Sequence, residues 1–106
     1  MEWYKDLYVG ELAEKRKYKI INKIEKHKTQ IGIYVLTLPF NNENVLDIYP
    51  SYILNQKYYK KADLKIMGIA CGYDEALEVM ERIIMDCYHI TNQFKITKMA
   101  SKESFR

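Results

Sequence analysis

The sequence predicts a small α/β domain: an N-terminal helix followed by a β-α-β-α-β order, with helices packed on a three-stranded sheet that is mainly parallel or mixed. Three observations lead there. Ile31 to Leu38 (IGIYVLTL) is a near-continuous apolar run, as expected of a strand buried on both faces. Leu64 to Ala70 (LKIMGIA) is a second such run. Asp74 to Ile90 carries apolar residues at steps of three and four, the period of an amphipathic helix. A ferredoxin-like α+β arrangement is the alternative.

The elements follow in order. Residues 1–10 open with EWYKDLY, an aromatic stretch read as an arm docked on the domain. Glu11 to His27 reads as one helix, with Leu12, Ala13, Ile20, Ile21 and Ile24 on one side. Its apolar stripe is thin around Arg16 and Lys17, so this helix is expected to cover a sheet edge. The strand at Ile31 to Leu38 ends at Pro39, and Phe40 to Asn44 reads as a polar turn. Pro50 removes a backbone donor, so the next segment divides into an extended piece up to Tyr49 and a helix from Pro50 to Tyr58. Gly68, inside the second strand, hints at a bulge or a close neighbour. In the helix from Asp74, Ala76, Leu77, Met80, Ile83, Ile84, Cys87 and Tyr88 share a side, and acids in the first turn suit the positive end of its dipole. Phe94 to Met99 (FKITKM) alternates apolar and polar and reads as an edge strand, and residues 100–106 read as a frayed tail.

Composition narrows the function. A chain of 106 residues fits a single domain, 1–106, and 48% hydrophobic with 29% charged residues is ordinary globular usage. The longest uncharged apolar stretch, Ile31 to Phe40, falls short of the about 20 residues that cross a bilayer. The opening MEWYKDLYV lacks the basic-then-apolar order of a secretory signal. A cytoplasmic setting is expected, where Cys71 and Cys87 stay reduced. Their separation along the last helix, about 20 Å, is too great for a disulfide. The ten tyrosines, with abundant Lys, Ile and Asn, suggest a coding sequence rich in A and T rather than a function. The net charge of +3 is small, but its distribution is uneven: seven of the 17 basic residues lie in Lys15 to Lys28, and five acids in Asp74 to Asp86.

The stretch GIACGYDEA, residues 68–76, runs from strand end through a glycine turn into a helix, a place where α/β proteins hold phosphates or present a thiol. It lacks the Gly-x-Gly-x-x-Gly fingerprint and the Gly-Lys-Ser/Thr ending. Asp74 and Glu75 also put carboxylates where a phosphate would sit, so Asp74 reads as the N-cap of the helix. Cys71 keeps a small claim as a reactive thiol in the helix field, against the plainer reading of a semi-buried apolar residue. The only histidines are His27 and His89, and His89 falls near the far end of the helix that starts beside Cys71; two Cys with two His show no zinc spacing. No cofactor and no metal are expected, and no catalytic constellation emerges.

Two surfaces remain. Lys15, Arg16, Lys19, Lys23 and Lys26 could meet an anionic partner such as a nucleic-acid backbone, though a solvated helix face is the plainer account. Tyr49, Tyr52, Tyr58 and Tyr59 could form an interaction surface or cap a small core with their hydroxyls in water. Three stretches, WYKDLYVGE, LDIYPSYIL and MGIACGYDEALEVM, together resemble a family of small single-domain bacterial proteins without an assigned function. The likeness spans residues 3 to 99 and implies a stand-alone cytoplasmic bacterial domain; it carries no activity and no site residues. The leading expectation is therefore a non-enzymatic binding or protein-interaction module that self-associates, because thin helix cover leaves an apolar face needing a partner. The alternative is a nucleic-acid-binding regulator using the basic helix 15–28; a membrane surface is not expected.

Overall fold

The computed structural model describes residues 1–39, 45–61 and 63–106; the polar turn expected at Phe40 to Asn44 lies outside them. The described chain runs β1 (Glu2–Val9), α1 (Glu11–Glu14), α2 (Lys17–Glu25), β2 (Ile33–Thr37), β3 (Asp47–Pro50), a 3-10 turn (Ser51–Asn55), α3 (Lys57–Lys61), β4 (Lys65–Cys71), α4 (Tyr73–Thr91), α5 (Ile96–Met99) and a short 3-10 turn (Lys102–Ser104). It is a mixed α/β structure around a four-stranded sheet in the order β1-β4-β2-β3.

The two runs predicted as central strands are β2 and β4. They pair with each other in the middle of the sheet, and Val35, Leu36, Ile66, Met67, Ile69 and Ala70 are fully buried. Of the mainly parallel or mixed sheet expected, the mixed form is the one observed. β2 is antiparallel to both β3 and β4, and only β1 runs parallel to β4. In place of the expected β-α-β-α-β order, β2 and β3 are antiparallel neighbours, and α4 follows the last strand instead of linking two. The fourth strand is the segment read as an arm. Its pairing with β4 joins Glu2 to Lys65 and Trp3 to Ile66, then slips and resumes with Tyr8 to Gly68 and Val9 to Ile69. Five residues of β1 thus span the length of two in β4, and this irregular stretch erases the period of two by which a strand is recognised.

The helix expected over Glu11 to His27 is broken where its apolar stripe was thin: α1 ends at Glu14, α2 begins at Lys17, and Arg16 between them has a non-helical backbone. Breaking there lets Ala13 and then Ile20 and Ile24 all reach the core. Each buried isoleucine contributes about 1.5–3 kcal/mol of transfer free energy. The helix expected from Pro50 to Tyr58 is instead a 3-10 turn followed by α3. Its interruption lies at Gln56, whose backbone is extended.

Two expectations near the C-terminus are overturned. FKITKM is not an edge strand, since Ile96–Met99 forms α5 against α4. Asn92, in the left-handed conformation, closes α4, and the Cys87 thiol bonds the carbonyls of Gln93 and Lys95, so this segment is tied to α4. Nor does the end of the chain fray. Phe105 is buried, its ring lies 5.6 Å from that of Tyr4, and Trp3 and Arg106 exchange two backbone hydrogen bonds of 2.8 and 3.0 Å.

The sheet separates two apolar clusters. On one face α4 and α5 pack with Leu36, Met67, Ala70 and Phe105; on the other, α1 and α2 pack with Val35, Leu54, Ile66 and Ile69.

Candidate functional site

The stretch GIACGYDEA sits at the junction of β4 and α4. Gly68 permits a close approach there, since a β-carbon would come within 3.1 Å of the Tyr8 carbonyl oxygen and a Val79 methyl group. The N-cap of α4 is Gly72, whose φ of 87° is open to glycine at little cost, and it has no side-chain cap. Asp74 is exposed and is not the N-cap that the sequence suggested. The carboxylate that matters is Glu75, only 6% exposed. Its Oε1 accepts the Cys71 N–H at 2.9 Å, and its Oε2 accepts the Leu12 N–H at 2.7 Å. One side chain in the first turn of α4 thus also satisfies an orphan amide at the start of α1. In sequence Glu75 stood only beside Asp74 at the helix start, because nothing local reveals that α1 ends up beside it.

Cys71 lies at the rim of this junction, half-buried, with the Arg16 guanidinium donating to its Sγ at 3.2 Å. Glu75, which bonds the Cys71 amide, also accepts the Leu12 amide, and His89 is exposed on the last turn of α4. Arg16, counted in sequence with the basic helix face, is turned toward this thiol. Among the described residues no group of three His, Cys, Asp or Glu side chains could hold a metal ion.

The tyrosines at Tyr49, Tyr58 and Tyr59 come together beside β3, with ring centroids 5.5 Å apart for Tyr49 and Tyr59 and 5.0 Å for Tyr58 and Tyr59. Tyr49 donates to Asp47 at 3.2 Å, and both Tyr49 and Tyr59 pack against the core under α1 and α2. Burial, followed by the Asp47 charge and this hydrogen bond, pushes the Tyr49 phenol up to about 12. Tyr52 is half exposed.

A groove of about 560 Å³ lies between β1 and α2. Trp3 and Leu7 from β1 and Ile21 from α2 are half-buried in it. Lys17 and Tyr18 on α2 form one bank, with the Lys17 ammonium 5.4 Å from the centre of the Tyr18 ring, and that ring is 79% exposed. Lys5 and Arg106 add two side-chain cations, and Glu25 is the one carboxylate side chain among the lining residues. A smaller recess of about 250 Å³ adjoins it, sharing Trp3 and Glu25 and adding Met1 and His27.

The groove redistributes the basic residues noted in sequence. At 100° per residue, Lys17, Tyr18, Ile21 and Glu25 share one side of α2, whereas Lys19, Lys23 and Lys26 lie about half a turn away. Lys15 falls between the two helices and is exposed. Trp3, Lys5 and Arg106 were not singled out, since they come from the two ends of the chain and only the sheet brings them beside α2. No family model, no curated protein and no solved structure matches this chain. Among the described residues no helix is long and apolar enough to cross a membrane.

Proposed function

We propose that this chain is a non-enzymatic binding module working through the groove between β1 and α2. The observation that carries the reading is the groove itself: a concavity of about 560 Å³, within the usual range of ligand sites, with an apolar floor and a cationic rim. At the competing junction beside Cys71, each oxygen of Glu75 accepts a backbone amide, so this carboxylate is held as a structural acceptor. Amide chemical shifts of the isotope-labelled protein test the reading, with an oligothymidylate, a glutamate-rich peptide and a lysine-rich peptide as probes. Resonances of Trp3, Tyr18 and Ile21 are expected to move with an anionic probe and to stay in place with the lysine-rich one. Stationary groove resonances with both anionic probes would remove it.

A second reading, self-association, is favoured by α4. Tyr73, Leu77 and Tyr88 are exposed along one stripe, with Met80 and Ile84 half-buried between them. Each end of the stripe carries an aromatic pair, Tyr34 with Tyr73 and Tyr88 with Phe94. Such a surface is matched by its own reversed copy, the requirement of a two-fold interface.

A further inference from the structure

We infer that the occupant of the groove is single-stranded nucleic acid, an inference that rests on the groove being the binding site. Three features converge on that chemistry. The rim places the side-chain cations of Lys5, Lys17 and Arg106 against the one side-chain carboxylate, Glu25, so the side-chain charge favours an anion. Two aromatic rings, Trp3 and the largely exposed Tyr18, stand at the groove, and a flat exposed ring is a stacking platform for an unpaired base. The backbone of β1 at this point is closed to a peptide. The amide and carbonyl of Trp3 are both bonded to Arg106, and Tyr4 bridges Phe105, so at Trp3 and Tyr4 the ladder is already taken. What the groove presents is therefore rings and cations, which recognise stacked bases and phosphates and lack the main-chain register by which an extended peptide is read.

The geometry also says which lysines count. Lys17 lines the groove, whereas Lys19 and Lys26 point from the other side of α2. The basic residues nearest the site are thus not those that dominate the sequence run.

Trp3 is the only tryptophan in the chain, so its emission reports on the groove without a label. The test titrates the full chain at low salt with an oligothymidylate of about 12 nucleotides, the same strand paired in a duplex, and a glutamate-rich peptide of equal charge. The expected result is saturable quenching by the single strand, weaker with the duplex and absent with the peptide. With three cations neutralising phosphates at about 0.7 each, affinity should fall about eighteenfold between 50 and 200 mM salt. Tyr18→Ala should weaken binding about tenfold or more. Lys17→Glu should weaken it and flatten the salt dependence, while Lys19→Glu changes it less. Tyr18 is exposed enough for its replacement to leave the fold intact, which far-ultraviolet circular dichroism checks. Quenching by the peptide without the oligonucleotide would overturn the nucleic-acid inference and leave the groove reading standing. Preference for duplex would likewise overturn it, and silence with every anionic probe would remove both.

Discussion

Glu75 and Gly10 are a matched pair whose chemistry is visible only at atomic scale. Gly10 has an ordinary extended backbone, so its need for glycine is not conformational: a β-carbon there would overlap the Glu75 carboxylate. Gly10→Ala is expected to displace that carboxylate and cost about 1–3 kcal/mol, as overpacking does. Glu75→Ala leaves the amides of Cys71 and Leu12 without their acceptor and is expected to cost about 2–4 kcal/mol. The double variant should cost less than the sum by about 1 kcal/mol, because alanine at position 75 vacates the space that the methyl group added at position 10 needs. Urea unfolding of the four proteins checks this, and strictly additive losses would break the link between the two residues.

At the scale of elements, α4 is fastened to β1 by side chains as well as by apolar contact. Tyr8 donates to Asp86 at 2.5 Å, its ring lies 5.7 Å from the Arg82 guanidinium carbon, and Arg82 donates to the Val9 carbonyl at 3.0 Å. Burial above all, and then the bond to Asp86, hold the Tyr8 phenol well above the ordinary phenol range. Both it and Tyr49 bind their protons more tightly folded than unfolded. Below pH 10 both states are protonated and nothing changes; between pH 10 and about 12 the unfolded chain ionises first, so stability falls as pH rises. Phenolate absorbance should show a late-ionising fraction among the ten tyrosines. Tyr8→Phe should remove part of it, and Asp86→Asn should shift part of it to lower pH. One common transition near the ordinary phenol value in all three proteins would contradict this assignment.

For the molecule as a whole, the two ends of the chain meet on the sheet, and the two helical layers leave different surfaces. Lys65 at the start of β4 bonds Glu2 at 2.6 Å and Asp63 at 2.9 Å, and Phe105 closes over Tyr4. With its ends joined, the chain presents the cationic groove beside α2 and the apolar stripe of α4 on the opposite face. If that stripe pairs with its copy, light scattering should show the mass rising with concentration from 12.7 kDa toward twice that value. Leu77→Glu should hold it at the single-chain mass, because a charge at the centre of an apolar interface is costly to desolvate. A wild-type mass that stays at one chain across the range would dismiss self-association through α4.

Local pattern was enough to find β2, β4 and α4, together with the buried Ala76, Ile83 and Cys87, because burial on one or both faces of an element is written into its own residues at short range. It also placed GIACGYDEA at a strand-to-helix junction, although the carboxylate at work there proved to be Glu75 and not Asp74. Only the tertiary structure decided strand order and direction, the recruitment of Glu2–Val9 and Phe105, and the groove. Each depends on hydrogen bonds or packing between residues far apart in the chain, such as Trp3 with Arg106 or Leu12 with Glu75. The spacing of apolar residues records which side of an element is buried, and carries no information about which distant element buries it.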